Sequence, residues 1–184
     1  MNKADELADR LGSMQNPEEK RLPPVHLWNP PLSGDIDIVI TREGVWRYQG
    51  QEIKRQKSVN LFSGILKMEE GEYFLVTPYE KWRISVEVAP FFITDMKIEG
   101  EGEQQVILFT TSTGDHFAVD KNHPIQIEQT KNEAVPTATV RGNLTGIISR
   151  TVFYRLAEIA VPETKEGREV FGVYSSGVFY PLES

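Results

Sequence analysis

The chain has 184 residues, 27 acidic against 20 basic side chains, and no cysteine. The missing cysteines exclude a disulfide framework, a thiolate nucleophile and any cysteine-ligated metal centre. A net charge of −7 argues against a broad nucleic-acid face, which needs clustered Lys and Arg to neutralise phosphates.

At roughly 150 residues per domain, the length fits one full-sized domain or two small ones. The opening MNKADELADRLGSMQ lacks the apolar centre of a signal peptide. No segment nears the roughly 20 apolar residues of a membrane helix, so the expected setting is the cytoplasm, with no membrane partner. Leu7, Leu11 and Met14 recur at helical spacing. They predict either a docking helix for a partner or second subunit, or a frayed turn folded onto its own chain. Pro23, Pro24, Pro30 and Pro31 make residues 16–33 an extended lead-in, since each fixes φ and restricts its predecessor.

In DIDIVIT, residues 35–41, Ile36, Ile38 and Ile40 alternate with polar residues, the period of a half-buried strand. Arg42-Glu43-Gly44 turns the chain into a second strand, 45–49, with Trp46 and Tyr48. The spacing of Val59, Phe62, Ile65 and Leu66 then predicts a helix over about 55–70, ended by Gly71. Further strands are expected at 72–77, 82–88, 93–99, 105–111, 115–119 and 125–129, the regular short spacing of an antiparallel sheet. Ser149 is a candidate N-cap for a second helix over about 149–161, and EVFGVYSSGVFYPL closes the chain as a hairpin. The class expected is α+β: mostly antiparallel sheets with two principal helices.

Two internal echoes appear. IKRQKSVNLFSGIL resembles IISRTVFYRLAEIA, and REGVWRYQGQEI resembles STGDHFAVDKNHPI. Any helix–turn–strand resembles another; a true repeat would give two small similar units with a cleft between them. The expected organisation is a tail at 1–22, an α+β unit at 23–80 and a β-rich unit with one helix at 81–184.

The residues support little catalytic chemistry. His26, His116 and His123 have no metal-ligand spacing; a hairpin bringing His116 to His123 would need Asp115 or Asp120 to complete a site, and such residues are more often solvated hairpin positions. Asp35 and Asp37 share a strand face without an evident pocket. Neither a serine nucleophile motif nor a phosphate-binding glycine loop is present. No metal, cofactor or catalytic residue is therefore assigned. The suggestive stretch runs from Val140-Arg141-Gly142 to Ser149-Arg150, where arginines flank a helix start that suits a phosphate or carboxylate. Arg55 stands in the corresponding place before the first helix. The plain alternative is arginines paired with local acids.

GDIDIVITREGVWRYQGQEIKR, LVTPYEKWRI followed by APFF, VRGNLTGIISR and GVYSSGVFYPL occur in one order. Together they resemble the bacterial family called domain of unknown function 1285, over about residues 23–182. The resemblance implies a two-domain α+β arrangement with internal repetition, no settled catalytic residues, and ligand binding in a signalling context. The family-like polar residues are Arg55, Thr77, Glu80, Lys81, Arg141 and Arg150, with Trp46 and Tyr48 as the aromatics of the first hairpin.

The leading expectation is non-enzymatic binding of a small anionic, nucleotide-like ligand in the cleft between the units. Arg141, Arg150, Arg55 and Lys81 would supply charge, Glu80 and Thr77 polar contacts, and Trp46 or Tyr48 a stacking face. A second reading is a protein-interaction module built on Phe171, Tyr174, Phe179 and Tyr180. A third is a hydrolase using Glu80, or Asp35 with Asp37, as acid and base.

Overall fold

The computed structural model describes residues 2–14 and 22–184. It divides between Val88 and Ala89 into two compact units.

The first unit begins with helix α1 (Lys3–Gly12) and holds a six-stranded sheet. Its strands are β1 (Gly34–Ile40), β2 (Trp46–Tyr48), β3 (Gln51–Glu52), β4 (Leu66–Glu69), β5 (Glu72–Val76) and β6 (Lys81–Val86), with helix α2 (Gln56–Gly64) between β3 and β4. Ile38 and Ile40 alternate inward on β1. Trp46 lies opposite Ile40 and stacks on Phe62 of α2, ring centres 6.1 Å apart, so the periodicities of strand and helix meet in one core.

The second unit holds β7 (Phe91–Glu99), β8 (Val106–Thr111), β9 (His116–Ala118), β10 (Ile125–Gln129), β11 (Ala134–Arg141) and β12 (Leu144–Ile148). Helix α3 (Arg150–Glu158) follows, then β13 (Val161–Lys165), β14 (Arg168–Ser175) and β15 (Val178–Pro181) as a separate three-stranded sheet. Ile93, Ile107, Phe109, Ile148, Leu156 and Val173 are buried together in one core.

The two large sheets share one connectivity. Their orders, β3-β2-β1-β6-β5-β4 and β10-β11-β12-β7-β8-β9, each build two antiparallel threes. The first and last strands of each set join the threes as a parallel pair, β1 with β6 and β7 with β12. The α+β class and the two similar units are as the sequence implied. The matching segments are not: α2 lies between the third and fourth strands of its set, whereas α3 follows the sixth. The aromatic strand within REGVWRYQGQEI is the second of its set, whereas that within STGDHFAVDKNHPI is the third.

Two expectations need correction. The boundary does not fall near 80, because β6 is central in the first sheet, parallel to β1 and antiparallel to β5. The helix expected to reach 70 ends at Gly64, and Leu66–Glu69 instead pairs with β5. Glu70 and Gly71 take φ of 52° and 78°, the left-handed pair that a two-residue hairpin turn demands, so Gly71 turns a hairpin rather than ending a helix. The stretch from Val140 to Ile148, for which no element was expected, is strand–turn–strand, turning at Gly142-Asn143.

Candidate functional site

Helix α1 is a built element. Asn2 caps it, its side chain accepting from the Asp5 amide at 2.9 Å, while Asp5 and Glu6 lie in the first turn and Arg10 in the last, as the helix dipole favours. Ala4, Ala8 and Leu11 are buried, spaced i, i+4, i+7. Leu7 and Met14 are half-buried beside them. The burying seam is therefore one step round from the expected Leu7–Leu11–Met14 face.

Small side chains bring α1 close to α2: a Cβ on Gly12 would lie 2.5 Å from Leu61 Cδ1. The Asp5 carboxylate, 7% exposed, accepts the Ser58 hydroxyl at 2.6 Å. Arg55 N-caps α2 through its backbone and makes no side-chain cap bond. Its guanidinium instead reaches Asp9 at 3.2 Å. Arg10 donates to both carboxylate oxygens of Glu80, at 2.8 and 3.0 Å.

Thr77 explains why Glu80 is held there. Its hydroxyl oxygen accepts from the amides of Tyr79 and Glu80 at 3.2 and 3.0 Å, and the hydroxyl donates to the Met14 sulfur at 3.6 Å. The turn from Thr77 to Glu80 is thereby fixed with its acid facing α1. Beyond the first turn of α1, a hollow of about 450 Å³ is lined by Asn2, Lys3 and Glu6 together with Tyr48 and Gln51.

Arg55 and Glu80, singled out from the sequence as ligand contacts, thus meet one element, α1; Thr77 meets Met14 just past its end, and Tyr48 lines the hollow beside it. Burying Leu11 contributes about 2 kcal/mol. The two ion pairs involve partly exposed groups and add at most about 1 kcal/mol each.

The other expected contacts are elsewhere. Trp46 is 3% exposed and covered by Phe62, so it offers no stacking face. Lys81 pairs with Glu69 and lies 4.2 Å from the centre of the Phe74 ring. Lys81, and then Lys67, hold the Glu69 carboxyl below its ordinary value. Arg141 packs on the Phe91 ring at 4.8 Å and pairs with Asp115 at 3.4 Å. Burial pulls its guanidinium below the usual value, against the opposing effect of Asp115.

Arg150 is exposed at the start of α3. Arg141 pairs with Leu144, where β12 begins, and Arg150 follows the other end of β12. Roughly 13 Å of strand separates their backbones, and the Arg141 guanidinium is engaged by Asp115 and the Phe91 ring. Ser149 does cap α3, accepting from the Val152 amide at 3.3 Å.

His116 bonds Thr110, His123 bonds Asp120, and Asp35 pairs with Arg83. Among the closing aromatics, Phe171 is exposed, Tyr174 packs edge-on to Phe179, and Tyr180 is buried. Glu163, hydrogen-bonded to Tyr174, pushes that phenol up to about 12. The hairpin is consequently not a continuous aromatic surface.

Asp5, Asp9, Arg10 and Ser58 went unremarked in the sequence. The signal available was Asn2-x-x-Asp5, an N-cap followed by an acid three residues on.

The model of the DUF1285 N-terminal domain matches residues 23–89, and that of the DUF1285 C-terminal domain matches residues 90–182. The chain belongs to the DUF1285 family. Both models describe proteins of unknown function, and their junction falls one residue from the division between the two units. A DUF1285 protein from Silicibacter pomeroyi is 45% identical, with TM-score 0.84 over 94% of this chain and 93% of that one. A DUF1285 protein from Shewanella baltica is 29% identical, with TM-score 0.54 over 67% of this chain and 91% of its own. No curated protein matches. No helix among the described residues is long and apolar enough to cross a membrane. In this DUF1285 chain, α1 precedes the family-matched residues, while Arg55, Ser58, Thr77 and Glu80 lie within them.

Proposed function

We propose that this DUF1285 protein is a binding module whose N-terminal domain receives an amphipathic helix on the face made by α2 and the Thr77–Glu80 turn. One observation carries the reading: α1, outside the family-matched residues, is met there by an ordered set of complementary groups. Ser58 meets Asp5, Arg55 meets Asp9, Glu80 meets Arg10 and Thr77 meets Met14. The anionic ligand expected from the sequence becomes, on this reading, the carboxylates of a helix. Helix-in-groove recognition of this kind reads anchors at i, i+3, i+4 and i+7.

The test is a charge reversal read by hydrogen exchange. Arg55→Glu should speed exchange of the α1 amides, and adding Asp9→Arg to the same chain should slow it again. A small-anion site at Arg55 would behave differently. A nucleotide or sugar phosphate would then raise the melting temperature of the wild type and not of Arg55→Glu, with α1 exchange unchanged by the substitution. That result would replace the helix reading. At 100 times Kd such a ligand adds roughly 2.7 kcal/mol, a shift that is easily seen.

A further inference from the structure

We propose that the seat of α1 is an exchange site, at which a helix from a partner protein carrying α1's own pattern displaces α1. The inference rests on the helix-receiving reading above and adds the partner's chemistry and its regulation. The partner helix would present small residues at the places of Ala4 and Ala8, a leucine at that of Leu11, acids facing Ser58 and Arg55, and a base facing Glu80.

Two features make α1 replaceable. Its backbone hydrogen bonds, among the described residues, stay within residues 2–14, so its departure breaks no main-chain pairing with the domain. Its hold on the seat is by side chains alone: two alanines and one leucine buried, the Asp5–Ser58 and Met14–Thr77 hydrogen bonds, and ion pairs in which Asp9 and Arg10 remain 49% and 45% exposed. A helix of ten residues is marginal by itself in water. Once off the seat it has little structure of its own to hold it ready to return. While seated, α1 lowers the apparent affinity of any competing helix in proportion to the fraction of seats left open.

The experiment uses the full chain and a fluorescein-labelled synthetic peptide with the sequence of residues 2–14. Leu11→Asp weakens the seated helix through its one large anchor. Asp9→Arg combined with Arg10→Glu does so through exposed charges that do not touch the core. Both variants should bind the peptide at least tenfold more tightly than the wild type, and Arg55→Glu added to either should weaken that binding by at least several-fold.

Equal affinity of wild type and both variants would overturn the exchange while leaving the helix seat standing. No binding to any of the three would overturn the seat itself. If wild-type chains pair with rising concentration by light scattering, and Arg55→Glu prevents it, the occupant is a second copy and the assignment to a different protein fails.

Discussion

Among single residues, the informative ones are those whose partners reverse a reading made from sequence. Gly71 is the plainest case. A glycine after an apolar periodic run is a normal helix stop, yet Glu70-Gly71 is one of four X-Gly pairs in which both residues take positive φ. The others are Gln49-Gly50, Glu166-Gly167 and Ser176-Gly177. Glutamine, glutamate and serine are unusual there, since Asn and Asp tolerate the left-handed region better. Three of the four hairpins were therefore illegible from dipeptide signals. The basic residues show a second kind of limit. Arg55, Lys81 and Arg141 were identified as the charges that matter, but an acid for each came from an element distant in sequence or from another strand.

Glu69 carries a consequence at this scale. Its carboxyl is lowered by Lys81 and Lys67, so its ion pairs stabilise the folded state above the ordinary value of 4.5. That stability is lost as pH falls through the lowered native value. Glu69→Gln should accordingly lower the denaturation midpoint at pH 7 and leave it nearly unchanged once the pH is well below the lowered native value. An equal loss at both pH values would show that the contribution is packing and not charge.

Among elements, strong periodicity was readable and its ends were not. The strands β1, β5, β6, β8 and β10 fell close to where expected, and burial alternates regularly along β1 and β8. Helix α2 did not stop where the apolar spacing suggested, because Ile65 and Leu66 fit either a helical or an extended period. Pairing of Leu66 with Leu75 decided the matter from outside the segment. The hairpin of β11 and β12 was missed for a related reason. Pro136 interrupts the run, and a central strand rarely accepts proline. Its neighbour β10 nevertheless pairs with it there, Ile127 opposite Pro136.

Helix α3, by contrast, was placed by its cap. Ser149→Ala removes the acceptor for the Val152 amide and should cost about 1 kcal/mol, read as a lower urea midpoint with an unchanged m-value. A change under 0.3 kcal/mol (a bound set by roughly half the smallest typical cap effect) would mean that packing of Val152 and Leu156, both fully buried, holds the helix start without the cap.

Across the whole molecule, the repeat was legible and its register was not. Sequence similarity between a helix in each half pointed to duplication, whereas the structural repeat resides in the strand order of the two sheets. Connectivity leaves little trace in residue types, because any strand needs only alternation. The second unit has its own core, including Phe109, Leu156 and Val173, and its length falls within the range of roughly 50–250 residues typical of domains. Residues 89–184 expressed alone should therefore unfold cooperatively in urea; a gradual, probe-dependent loss of signal would show that the unit is not self-sufficient.

The parallel pair at the middle of each large sheet also bears on how the protein is made. A growing chain releases β1 first, but the neighbour that completes its second edge is β6, finished only at Val86. The same holds for β7, which waits for β12 and Ile148. At roughly 5–20 residues per second, each early strand spends several seconds of synthesis with an open row of amides and carbonyls. Such an edge is a template for pairing with another chain. Ribosome pausing within residues 41–86 or 100–148 lengthens that interval, which makes translation speed through these two segments a determinant of yield.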